Sequence, residues 1–228
     1  MSFVSKRQST IDIIYEEIKK NILELTYTPG KQLVEETLSE ELGVSRTPLR
    51  HALYRLELEG LIIKKLNGRM SVTELSTQEA EELYLVREVI EGLIAREATV
   101  YIAQESNFNA IMKKFESVMF YMRTSAETNR QAEIVKYGSE FHSLLGFYSN
   151  NHTAVNMLKQ INDRVSRYRR LGAYKDPTYP SITPIEEHEE ILQYIKQKDP
   201  ESVELLMRKH IRRSLKNTIA AFSYLSSE

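Results

Sequence analysis

From Ser76 to the C-terminus the apolar residues recur at spacings of three and four, with no strand signal anywhere beyond residue 75. That period specifies amphipathic helices and is incompatible with the two-residue alternation of a half-buried strand. Ser76-Thr77-Gln78-Glu79 has the capping-box pattern, and the spacing predicts a long helix from there to about Ile102. Further helices are predicted over 107–125, 130–149 and 151–172. KDPTYPSITP at 175–184 is a Pro-rich loop. Thr183 as N-cap, Pro184 at N1 and Glu186 at N3 then open a helix to 197. Asp199-Pro200 opens the last helix, which reaches about Tyr224. The expected architecture of this part is an all-α six-helix bundle.

Composition removes several function classes. The 228 residues include no Cys, which excludes disulfide staples, thiolate catalysis and Cys-based zinc or iron–sulfur sites. Only 8 Gly and 6 Pro argue against an all-β fold with many tight turns. The longest apolar run, Val118 to Met122, is far short of the ~20 residues of a membrane span. MSFVSKRQST at the N-terminus has no apolar segment of a secretory signal. With 31 Lys+Arg against 32 Asp+Glu, the chain is not a uniformly basic nucleic-acid binder. A local basic face stays open.

The first 75 residues have a different texture. Ile11, Ile14, Ile18, Ile22 and Leu25 mark a helix within 8–26, broken by YTPG at 27–30. A short second helix carries Leu38 and Leu42, with Gly43 as its stop. Ser45 is a good N-cap for a third, running to about Gly60 with Leu49, Leu53 and Leu56 inward. Segments 61–65 and 69–73 flank Asn67-Gly68 and predict a two-strand hairpin on a type I′ turn. Three helices and a hairpin in this order are those of a winged helix-turn-helix. The fold class is therefore mainly α, with a winged helix-turn-helix at 1–75 and the helical bundle at 76–228.

On the third helix Arg46, Arg50 and Tyr54 share one face, with Thr47 beside them. A helix fits the DNA major groove, where Arg bonds a guanine edge in bidentate fashion. Residues 45–69 hold Arg46, Arg50, Arg55, Lys64, Lys65 and Arg69 against Glu57 and Glu59, a balance of +4. Residues 31–44 hold Lys31 against Glu35, Glu36, Glu40 and Glu41, a balance of −3. Positive charge is concentrated on the third helix and the hairpin.

Pro29-Gly30, LVEETLSEEL at 33–42, GVSRTPLRHALYRLELEGLI at 43–62 and the Asn-Gly hairpin resemble the GntR family of bacterial transcription regulators. The resemblance implies that the third helix enters the major groove and that the wing contacts the backbone or minor groove. It assigns DNA contacts to Ser45, Arg46, Thr47 and Arg50, with Gly68 and Arg69 in the wing. His51 stands where the family usually has an acidic residue, and Glu36 stands where some members have a DNA-contacting Arg.

Three of the five histidines fall on inward stripes of the helical part. His188 lies with Ile185, Leu192 and Ile195; His210 with Val203, Met207 and Ser214; His142 flanks Ile134, Phe141 and Leu145. Bundle cores are where helical proteins build metal sites, and neutral imidazole suits zinc and other borderline metals. His51 and His152 are off this face. FH at 141–142, EHEEI at 187–191 and MRKH at 207–210 are similar to the FCD ligand-sensing domain of the FadR subgroup, across about 77–224. That resemblance implies a divalent metal of zinc or nickel type, held by an Asp and three His, beside a small carboxylate effector. The Asp position is Gly138 here, so the site loses its anionic protein ligand. A three-His metal site, histidines that bind an organic ligand directly and satisfied core histidines are all compatible with the pattern.

Arg87, on the long helix beside Leu83, Ile90 and Ile94, matches an Arg common in the subgroup and is the expected partner of an anionic effector. Its alternative partner is Glu91, one turn on. Arg164 and Arg167 on the 151–172 helix are further candidates; Tyr168, Arg169 and Arg170 read as core and surface. The acids around His188 are expected to face solvent. No catalytic motif stands out. The expectation is a cytoplasmic homodimeric regulator, commonly a repressor in this family, on a pseudo-palindromic double-stranded operator, tuned by a carboxylate effector. A metal-dependent hydrolase fused to a DNA-binding domain and a ligand-independent DNA-binding protein are the alternatives.

Overall fold

The computed structural model describes residues 9–175 and 182–225, with side chains over 9–170 and 182–222. Most of the Pro-rich loop at 175–184 lies outside the described residues. The chain divides into two compact units, 1–75 and 76–228.

In the first unit α1 (Thr10–Leu23) starts at a capping box, in which Ser9 Oγ accepts from the Asp12 amide at 3.2 Å. A short strand β1 (Gln32–Leu33), α2 (Glu35–Glu41), α3 (Arg46–Leu58), β2 (Ile62–Lys64) and β3 (Met70–Val72) follow. Ile14, Ile18 and Ile22 of α1 meet Leu49, Leu53 and Leu56 of α3, and Leu38, Leu61 and Val72 close the core. Gly43 ends α2 in the left-handed conformation at φ +63, as its place in the sequence predicts. Ser45 is the N-cap of α3, although its side chain makes no capping bond.

Two features of the sheet differ from the sequence reading. It has three strands, because Gln32 and Leu33 pair antiparallel with Ser71 and Met70. Two residues are too few to show an alternating pattern, so β1 leaves no local signal. The hairpin also lacks a type I′ turn: Gly68 is left-handed at φ +79 but Asn67 is not, and type I′ needs both. Leu66-Asn67-Gly68 instead form a three-residue loop, closed by Lys65 N–H to the Arg69 carbonyl and Gly68 N–H to the Lys65 carbonyl, both 2.8 Å. A Cβ at Gly68 would meet nothing within 4 Å. Gly68→Ala should therefore cost about 1 kcal/mol through backbone strain alone, read as a lower denaturation midpoint. Gly68→Asn should recover part of it, and an unchanged midpoint for Gly68→Ala would contradict this turn.

The second unit contains α4 (Thr77–Gln104), α5 (Phe108–Glu127), α6 (Gln131–Tyr148), α7 (His152–Lys175), α8 (Thr183–Gln197) and α9 (Pro200–Leu225). α4 is the central helix, packed on α9 and also against α5, α6 and α7. Gly92 lets α9 approach closely, since a Cβ there would lie 2.9 Å from Arg208 Cγ. Asp199 caps α9 as expected, its Oδ1 accepting from the Ser202 amide at 3.1 Å. Thr183 is not the cap of α8. That place falls to Ile182, whose carbonyl accepts from Ile185 at 2.9 Å, and Pro184 lies in the first turn, where a missing N–H costs nothing.

Candidate functional site

Two clusters of polar side chains stand out, one exposed on the first unit and one buried in the helical unit. On α3, Leu49, Ala52, Leu53 and Leu56 are buried, which turns Arg46, Thr47, Arg50 and Tyr54 outward. Tyr54 is 57% exposed. Ser45 is also exposed, as are Gly68 and Arg69 in the loop between β2 and β3. Arg55 belongs elsewhere: it donates to Asp12 Oδ1 at 2.7 Å and lies 3.9 Å from the Tyr15 ring centroid. It therefore ties α3 to α1.

In the helical unit, His142 of α6, His188 of α8 and His210 of α9 converge, with one nitrogen of each lying within 4.8 Å of the others. Their meeting follows from the apolar stripes that bury those three helix faces. His142 and His188 approach Nε2 to Nε2 at 3.2 Å. Carboxylates engage two of the outer nitrogens. His142 Nδ1 bonds Glu91 of α4, and His210 Nδ1 bonds Glu187 Oε2 at 2.6 Å. An Nδ1–H donated to a carboxylate leaves the Nε2 lone pair directed inward and makes it more basic, the arrangement that backs metal-bound imidazoles.

Burial pushes all three imidazoles below their ordinary pKa, with His188 and His210 held down further by neighbouring cationic groups and imidazoles. They are therefore neutral, the form that coordinates a metal. Glu91 stays ionised against its burial because Arg87 and His142 hold its carboxyl well below the usual range. In a tetrahedral site with metal–nitrogen bonds of ~2.0–2.1 Å, ligand nitrogens lie about 3.3 Å apart. The His142–His188 spacing fits this directly, and the chemistry of three neutral nitrogens fits a zinc- or nickel-type ion. Gly138 supplies no fourth ligand; a Cβ built on it would lie 3.7 Å from His188 Cε1 and 3.6 Å from Arg169 Nη2.

A cavity of about 410 Å³ opens beside His142 between α4, α6 and α7, with Arg87, Ser139, Lys159 and Arg169 in its wall. A small void of about 30 Å³ is lined by Gly138, His188, His210, Arg87 and Arg169 among others. Arg87 and Arg169 thus border both spaces. Arg87 is 3% exposed and donates from Nε to Glu91, the alternative partner named from the sequence. Arg169 donates to Ser139 Oγ at 3.0 Å.

Arg164 borders neither space. It donates to Glu79 near the start of α4, and the same carboxylate accepts from Tyr168. Sequence reasoning missed Arg169, which sits at the site rather than in the core or on the surface. It also missed Glu187, placed with the solvent-facing acids but bonded to His210 and to Arg213 Nε at 2.5 Å. His152, given no place at the site, lines the large cavity. Glu187 precedes His188 in the chain yet serves a histidine on α9, a relation that no linear spacing encodes.

Comparisons with known proteins agree with the two units. The family profile described as "Bacterial regulatory proteins, gntR family" matches residues 10–72, and the FCD domain profile matches 82–213. An uncharacterised HTH-type transcriptional regulator of Bacillus subtilis, YdhC, is 30% identical over 82% of this chain and 81% of its own length. The HTH-type transcriptional repressor RspR of Escherichia coli is 24% identical over 87% of this chain and 84% of its own. The solved structure of E. coli McbR/YncC superposes with a TM-score of 0.75 at 18% identity, covering 94% of this chain and 99% of that one, which shows a shared fold.

Proposed function

Because the chain belongs to the GntR family of bacterial regulatory proteins and carries an FCD domain, we propose that a small carboxylate effector, held at a His-bound divalent metal, tunes its grip on an operator. The chain is a DNA-binding transcriptional regulator, and its homologues are regulators rather than enzymes. The metal-dependent hydrolase reading falls with that. No helix among the described residues is long and apolar enough to cross a membrane.

In this reading residues 1–75 bind DNA and 76–228 sense the effector and dimerise. Ser45, Arg46, Thr47, Arg50 and Tyr54 face the major groove, with Gly68 and Arg69 in the wing. Two copies span a pseudo-palindrome, since one recognition helix contacts too few bases for useful specificity. The exposed apolar residues Leu85, Val86, Val89 and Leu93 of α4 offer the helical domains a pairing face. Likeness to the RspR repressor supports repression as the mode. A cytoplasmic place accords with a DNA partner.

The observation that carries the effector reading is three buried neutral imidazoles beside a cavity bordered by Arg87 and Arg169. His142, His188 and His210 would hold the ion, which supplies a positive centre for a carboxylate. Arg169 stands closer to that place than Arg164 and is the better cation for the remaining anionic oxygen. An effector alters DNA affinity only by binding one dimer geometry better than another. A thermal-shift titration of untagged protein tests this, with zinc or nickel in the presence and absence of malonate. Metal should raise the midpoint, malonate should raise it further, and His188→Ala should remove the metal-dependent part while operator binding persists. A midpoint indifferent to metal in the native protein would refute the metal reading.

A further inference from the structure

Two carboxylates at the start of α2 engage two of the three arginines of α3, Arg46 and Arg50, and they do so at different atoms. Arg50 donates from Nε to Glu35 Oε2 at 2.8 Å. Arg46 donates from the terminal Nη2 to Glu36 Oε1, also at 2.8 Å. The first pair is the firmer, because the Glu35 side chain is 28% exposed and that of Glu36 is 69%.

The difference bears on what each guanidinium can read. Bidentate recognition of a guanine O6/N7 edge needs two parallel N–H donors from one planar fork. On Arg50 the carboxylate takes the inner nitrogen, and the terminal fork has no hydrogen bond among the described residues. On Arg46 the carboxylate sits at Nη2, the nitrogen shared by both two-donor edges of the guanidinium, so it competes with a base edge for either fork. That competition biases Arg46 toward a single-point contact, which is what a phosphate oxygen offers.

We propose that Glu35 is a positioning residue that holds Arg50 for base reading, and that Arg46 serves the phosphate backbone. The assignment rests on the DNA-reading face proposed above. Glu35 acts in two ways. It restrains a flexible side chain before DNA arrives, so less conformational freedom is lost when the fork meets a guanine. It also keeps Arg50 from swinging freely to any phosphate, and its charge repels the backbone that dominates non-specific binding. Removing it therefore lowers operator affinity relative to non-operator affinity, which neither a folding defect nor a change in bulk charge would do.

The test compares operator and non-operator duplexes with the full-length protein over a range of salt. Glu35→Ala should lower the preference for operator over non-operator about fivefold, the cost of ordering one long side chain. It should strengthen non-operator binding about two- to fivefold, the strength of one surface ion pair. Glu35→Gln, which keeps an acceptor oxygen, should show the non-operator gain with a smaller loss of preference. Glu40→Gln removes the same charge at the other end of α2 and should shift both affinities alike. Arg50→Lys, which lacks the fork, should lose operator preference as fully as Arg50→Ala, whereas Arg46→Lys should keep it.

If Glu35→Ala leaves the preference for operator unchanged, as Glu40→Gln should, the positioning role is wrong. Equal losses of preference in Arg46→Lys and Arg50→Lys would overturn the division of labour. If Arg50→Ala leaves operator affinity unchanged, the reading face itself falls. Circular dichroism of each variant, matching the native spectrum, secures the comparison.

Discussion

Arg87→Ala should destabilise the helical domain by about 3–5 kcal/mol, among the largest losses available to a single substitution here. Arg87 and Glu91 are almost completely enclosed, with side chains 3% and 6% exposed. The guanidinium holds one carboxylate oxygen and His142 holds the other. Truncating the arginine leaves a buried carboxylate facing a neutral imidazole, and a buried charge without its counter-charge is costly. For a domain of this size the loss corresponds to a fall of about 6–20 °C in its transition.

The pair itself need not be a net stabiliser, because the desolvation of two ions offsets much of their attraction. Arg87→Met combined with Glu91→Leu should therefore recover part of the loss, the remainder reflecting the His142 Nδ1 that loses its carboxylate. Denaturant titration of the native, single and double variants reads this cycle. A single-variant cost below about 1 kcal/mol, or a double variant less stable than the single, would contradict the burial argument.

Phe141→Ala carries a comparable cost by a different route. The ring is fully buried, meets Phe115 edge-on at 5.3 Å between centroids and tilts over His188 at 4.6 Å. Deleting a buried phenyl ring forfeits its transfer energy and leaves a cavity, together about 3–5 kcal/mol. The same cavity removes the wall that orients His188, so the metal-induced rise in midpoint should shrink as well. Phe141→Leu should retain most of the stability while losing part of that response. Calorimetry with and without zinc separates the two effects, and a Phe141→Ala variant with unaltered metal response would show that His188 is oriented by its other neighbours.

The elements of the fold were largely legible from periodicity and punctuation. Ile14, Ile18 and Ile22 announce α1, Gly43 announces the stop before α3, and Asp199-Pro200 announces α9, because each signal acts within one or two helical turns. The inward placement of His142, His188 and His210 was legible for the same reason: a residue on an apolar stripe goes where the stripe goes. β1 was not, because its two residues are strands only by pairing with Ser71 and Met70, about forty positions away. The turn at Asn67-Gly68 was misjudged because one left-handed residue closes a three-residue loop that two would close in a shorter one.

The polar partners were the least legible. Glu187 looks like a solvated acid on α8, and only the packing of α8 on α9 gives it His210 and Arg213. Arg164 and Arg169 are equivalent as sequence, five positions apart on one helix. Their different angles around α7 send one to Glu79 and the other to the histidines.

The sequence by itself determined which residues are helical, which faces are buried, and that three imidazoles lie among them. These properties depend on local geometry and on the removal of apolar area from water. Only the tertiary structure decided which carboxylate backs which imidazole, which arginine borders the cavity and which nitrogen of Arg50 is held. Hydrogen bonds and ion pairs require particular atoms within about 3 Å, and that proximity arises only when separate helices are packed together.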